Sequence, residues 1–108
     1  RTLKPLLRKD IRVLDVGCGT GAISKDVAAI IENGGKIIGI DKDPNFIENG
    51  IANYGHIKNL ELIPTDIFDF NPDQKFDLII SARMLQWLSN PKEALLKMKS
   101  LLKILHKV

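Results

Sequence analysis

Val13-Leu14-Asp15-Val16-Gly17-Cys18-Gly19-Thr20-Gly21-Ala22 is the stretch from which the fold is read. Its first four residues are mostly aliphatic and β-branched, the composition of a parallel strand buried on both faces. Glycines at every second position then demand a tight turn with no side chains in the way. Ala22 to Asn33 reads as a helix, with Ile23, Val27, Ile30 and Ile31 expected along one face. A strand running through glycines into a helix N-terminus leaves bare backbone N–H groups at the mouth of a sheet, where something small and polar can bind.

Two ligand classes compete for such a place. Gly17-x-Gly19-x-x-Ala22 formally satisfies the dinucleotide fingerprint, and Asp41 stands where a ribose-binding acid is expected. Asp15, two residues before the first glycine, separates the two. A pyrophosphate would be repelled by a carboxylate beside it, whereas a cofactor carrying a sulfonium and an ammonium group would be attracted. Asp15-Val16-Gly17-Cys18-Gly19-Thr20-Gly21 resembles motif I of the class I S-adenosylmethionine-dependent methyltransferases. That resemblance implies an α/β fold: a Rossmann-like parallel sheet with flanking helices. It implies S-adenosyl-L-methionine as cofactor, held around Asp15, Gly17, Cys18, Gly19 and Gly21.

Further along, Asn33-Gly34-Gly35 is a stop signal offering a left-handed glycine cap, and Lys36 to Ile40 is the second strand, ended by Asp41. A right-handed crossover sets it beside the first. In Asp41-Lys42-Asp43-Pro44, Asp43 can cap the next helix with Pro44 at its first position. Asp41 is thereby free to accept hydrogen bonds from two vicinal ribose hydroxyls, with Lys42 beside it in the cofactor loop. An acid in that role should matter little to the fold. The helix after it carries Ile47, Ile51 and Tyr54 on one face and accommodates Gly50 at a cost of ~1 kcal/mol relative to alanine.

Leu60 to Ile63 is a third strand closed by Pro64. The resemblance carries the adenine contacts onto Asp66 and the Ile67 N–H that follow it. Phe76 to Ser81 is the fourth strand, with Ser81 next to the glycine turn across the switch point of the sheet. Arg83 and Gln86 are the polar residues nearest the expected methyl end, though neither is assigned a catalytic role. Met84, Leu85 and Leu88 read as core. Asn90-Pro91 opens a last helix with Leu95, Met98, Leu102 and Leu105 along its buried face.

The resemblance covers Ile11 to about Lys103 but only the first part of the family's domain. The fold is therefore expected to be partial: about four strands in the order 3-2-1-4, with residues 1–108 as one cofactor-binding unit. The family's continuation through a glycine-rich turn into a fifth strand has no signal here. A start at Arg1 without methionine likewise suggests an excerpt of a longer protein. The fourth strand would then present an unpaired edge open to self-association, and the chain by itself would turn over no acceptor.

Of its 108 residues 44% are hydrophobic and 27% charged, values typical of a folded globular unit. No apolar run nears the ~20 residues of a membrane span, and no signal-peptide pattern is present. The single cysteine, Cys18, can form no internal disulfide, so a cytoplasmic setting is expected. The net charge of +3 owes much to lysines of the last helix, which read as its solvated face rather than a nucleic-acid patch. His56 and His106 have no evident metal partner. A methyltransferase acting on an unidentified, small-molecule acceptor is the favoured reading. A non-catalytic S-adenosylmethionine-binding module or partner subunit is the alternative. An NAD-dependent oxidoreductase would share the fold and Asp41 but leave Asp15 and the Asp66-Ile67 pair without a purpose.

Overall fold

The computed structural model describes residues 10–31, 34–81 and 90–103. Residues 1–9, Arg83 to Leu88, and Leu105 and His106 near the end of the chain lie outside the described residues. Four strands, β1 (Arg12–Val16), β2 (Lys36–Asp41), β3 (Leu60–Pro64) and β4 (Leu78–Ile80), form one parallel sheet in the order β3-β2-β1-β4. Val13 lies opposite Ile37 on β2 and Leu78 on β4, and Ile37 lies opposite Leu60. Between the strands run α1 (Ala22–Ile30) and α2 (Pro44–Tyr54), with α3 (Pro91–Leu101) after β4. None of these helices is long and apolar enough to cross a membrane.

Alternate residues of each strand feed two cores, because side chains on a strand point to opposite faces. Val13, Ile37 and Leu62 pack with Ala28 of α1, with Ile31 just after it and with Ile47 of α2. Leu14, Val16, Ile38 and Ile40 pack on the other side with Ile67, Phe70, Phe76 and, from α3, Ala94, Met98 and Leu101. Both faces of β1 and β2 are covered, which is why their sequences are nearly continuous aliphatic runs.

The helix faces differ from those the large aliphatics suggested. On α1, Ile23 and Ile30 are exposed, while Ser24 and Ala28 are buried and Ile31 follows them into the core. On α2, Ile47 is buried but Ile51 is half exposed. On α3 the buried set is Ala94, Met98 and Leu101, and Leu95 faces solvent. Small residues hold the central contact in α1 and α3 because a helix lying close on a sheet has no room for branched side chains there.

α1 also ends earlier than expected, at Ile30. Ile31 turns to extended backbone and buries its side chain, and neither Gly34 nor Gly35 adopts a left-handed conformation. β4 is shorter than Phe76–Ser81. Phe76, two residues before it, pairs instead with Leu102, in parallel: Phe76 N–H donates to the Leu101 carbonyl and Lys103 N–H donates to the Phe76 carbonyl. The chain leaves α3 through extended backbone at Leu102, with no glycine needed. The edge expected to be bare is thus paired at its lower end.

Candidate functional site

The carboxyl ends of β1, β2, β3 and β4 bring together Asp15, Asp41, Asp66 and Ser81, the last directly after β4. The turn between β1 and α1 passes among them. Gly17, Gly19 and Gly21 have φ of 73°, 62° and 90°, values that non-glycine residues rarely adopt. Gly21 caps α1 without a side-chain hydrogen bond.

Four N–H groups of this turn are not bare. Gly17 and Cys18 both donate to the Ile40 carbonyl, at 2.8 and 2.9 Å, and Gly21 donates to the Cys18 carbonyl at 3.0 Å. Gly19 donates to Asp41 Oδ2 at 2.9 Å. Four donors that sequence reasoning assigned to a ligand are thus engaged within the protein. Only the tertiary approach of Ile40 and Asp41 could have revealed this.

The turn sits instead between two carboxylates. Asp15 is 2% exposed and accepts from the Ser24 hydroxyl at 2.6 Å. Half-buried Asp41 accepts from Gly19 through one oxygen and from the Asp43 N–H, at 2.9 Å, through the other. Its role in the fold is therefore larger than expected, since it ties the glycine turn to the start of α2. Each carboxylate oxygen can accept a second hydrogen bond, so capacity for two hydroxyl donors remains. Burial, then the negative charges of Asp15 and Asp41, push the Cys18 thiol up to about 12, which keeps it protonated and unreactive near neutrality.

Asp43 caps α2 by accepting from the Asn45 N–H, with Pro44 at the first helical position. Lys42 is exposed beside it. Asp66 caps a 3₁₀ turn, Ile67–Asp69, by accepting from the Phe68 N–H at 2.9 Å. The Ile67 side chain is fully buried, and its N–H, at the first position of that turn, has no partner within the turn. Thr65 N–H donates to the Asp41 carbonyl, fixing the Asp66 loop to the end of β2. The Ser81 hydroxyl oxygen is buried with no hydrogen-bond partner among the described residues. Arg83 and Gln86 lie outside the described residues, and no group of His, Cys, Asp and Glu able to hold a metal occurs among those described.

Three residues of the site's frame carry no functional signal in a motif: Ser24, Gly39 and Gly50. Cβ atoms built on Gly39 and Gly50 would stand 2.9 Å from the Ser24 hydroxyl and 2.5 Å from the Thr20 carbonyl oxygen. A glycine inside a strand or helix is the trace such close approaches leave in a sequence.

Residues 7–106 match a family model described as a methyltransferase domain. Malonyl-[acyl-carrier protein] O-methyltransferase 1 of Ilyobacter polytropus is 35% identical over 83 residues, 77% of this chain and 31% of that protein. A solved S-adenosylmethionine-dependent methyltransferase from Aquifex aeolicus matches with a TM-score of 0.82 and 26% identity, over 94% of this chain and 56% of that one. PKMT2 from Rickettsia typhi, solved in complex with AdoHcy, matches with a TM-score of 0.78 and 28% identity, over 87% and 19%. The chain spans about a third of the length of the curated relatives it matches first.

Proposed function

The chain belongs to the methyltransferase-domain family, and from that premise we propose that it binds S-adenosyl-L-methionine at the carboxyl edge of its sheet, as the cofactor half of a methyltransferase. The observation that carries this reading is the inward engagement of the Gly17, Cys18, Gly19 and Gly21 N–H groups between two carboxylates. A turn whose Gly17, Cys18, Gly19 and Gly21 donors are engaged, with acids on either side, is a poor place for a pyrophosphate. It does offer a negative field to a cation and acceptor oxygens to ribose hydroxyls. The same observation disfavours the dinucleotide reading.

The residues present fit the cofactor's parts. Asp41 would accept the ribose hydroxyls, and Asp15 would supply the field for the cationic end. Asp66 and the Ile67 N–H would take the adenine, while Gly17, Cys18, Gly19, Gly21 and Lys42 would line the approach. The Ser81 hydroxyl, buried and without a partner among the described residues, would gain one. When bound, the cofactor supplies a methyl group already activated on a cationic sulfur. The chain's own contribution is to bind, to orient and to hold charge without spending its thiol: Cys18 stays neutral and takes no part as nucleophile. Positioning of this kind is where most of the acceleration of a displacement arises. An acceptor of small-molecule size is part of the proposal, supported by a relative named as a probable cobalt-precorrin-6B C(15)-methyltransferase.

Calorimetric titration of the chain with S-adenosyl-L-methionine, AdoHcy and NAD tests the reading. Binding of the first two without NAD is expected, and preference for NAD would overturn it.

A further inference from the structure

Ser24 is fully buried in the first turns of α1, on a face that otherwise meets aliphatic strands. A hydroxyl in that position costs both helix and core unless it has a strong partner. Its partner is a carboxylate: the Ser24 hydroxyl donates to Asp15 Oδ2 at 2.6 Å. Room for the pair comes from Gly39, which lies opposite Asp15 on β2 and whose missing Cβ would meet the Ser24 oxygen at 2.9 Å. So β1 supplies the acid, α1 supplies the donor, and β2 stands back.

The two residues flank the glycine turn, Asp15 two residues before Gly17 and Ser24 three after Gly21. Their hydrogen bond closes the turn into a loop pinned at its base. Ser24 is one of Asp15's partners within the protein and fixes the direction in which that oxygen points.

We propose that Ser24 is a positioning residue for cofactor binding: it orients the buried Asp15 carboxylate toward the cationic end of the cofactor. The inference rests on the S-adenosylmethionine reading above. Ser24 acts through Asp15 and touches no ligand itself.

Two ligands separate this role from a merely structural one. AdoHcy carries an ammonium group, whereas 5′-methylthioadenosine keeps the nucleoside and the thioether and lacks the amino-acid end. Ser24→Ala should weaken AdoHcy about 10-fold or more, the usual effect of losing a hydrogen bond to a charged group. Binding of methylthioadenosine should stay within about 2-fold. Ser24→Cys, similar in size and a weaker donor, should show the same pattern at smaller amplitude, and it serves if the alanine variant does not fold. In an Asp15→Asn background, Ser24→Ala should cost nothing more. Parallel loss of both ligands, no loss of either, or additive effects in the double variant would each overturn the inference. An unsubstituted chain that binds no AdoHcy would overturn the cofactor reading as well, a result visible before any variant is made.

Discussion

Asp41 at the end of β2 reaches the Gly19 N–H at 2.9 Å, so an acid expected to face only a ligand also holds the turn in which that ligand would lie. Its second oxygen holds the Asp43 N–H. Asp41→Ala should therefore lower stability by about 1–3 kcal/mol, because two charge-assisted bonds to partly exposed groups are lost. Asp41→Asn should do no better, since its amide would set an NH₂ group against one of two N–H donors. Chemical denaturation of the three proteins checks this, and AdoHcy affinity should fall in both variants.

Gly50 reverses a general rule. Glycine to alanine inside a helix ordinarily stabilises by about 0.5–1 kcal/mol. Here the added Cβ would stand 2.5 Å from the Thr20 carbonyl oxygen and 2.8 Å from Leu62. Gly50→Ala should destabilise by about 1–3 kcal/mol through overpacking. Thermal unfolding decides the sign, and a rise in Tm would show that α2 shifts away at little cost.

The Cys18 thiol, with its pKa pushed from 9.0 to about 12, predicts a pH window. Below pH 9 the thiol is neutral folded and unfolded, and it adds no pH dependence. Between the two values only the unfolded chain ionises, so stability should fall by about 1.4 kcal/mol per pH unit. Denaturant midpoints of the natural protein and Cys18→Ala, measured from pH 8 to 11, should diverge only above pH 9. Alkylation of the folded protein at pH 8 should be slow.

On α3, Met98→Ala should cost about 2–5 kcal/mol, because its side chain is in the core. Leu96→Ala should stay within about 0.5 kcal/mol, Leu96 being 58% exposed. Equal losses at the two positions would place the buried face of α3 elsewhere.

These contrasts mark what could be read from the residues. The strands were legible because β1 and β2 are buried on both faces, and such burial writes itself as aliphatic runs. The order 3-2-1-4 came from the resemblance to the methyltransferases, as did Asp66, while Asp15 was singled out by its charge before the glycines and Asp41 by its place at a strand end. Helix faces were misread at Ile23, Ile30, Ile51 and Leu95, since counting large aliphatics overlooks Ser24, Ala28 and Ala94 at the tightest contacts. The engaged turn N–H groups and the pairing of Phe76 with Leu102 were also hidden. Both depend on carbonyls brought in from distant parts of the chain, which no local pattern encodes.

Gly39 has a consequence for how such a sequence can change over time. The space it leaves open is where the Ser24 hydroxyl and the Cys18 sulfur meet, 2.9 and 3.0 Å from an atom that is not there. Leu62 closes the same space at 2.9 Å, so a larger residue at 39 is admissible only after these three neighbours have given way, and shrinking Ser24 removes a partner from Asp15. No single step leads out of this arrangement without loss. Positions 18, 24, 39 and 62 should therefore drift together across related sequences, or stand still together.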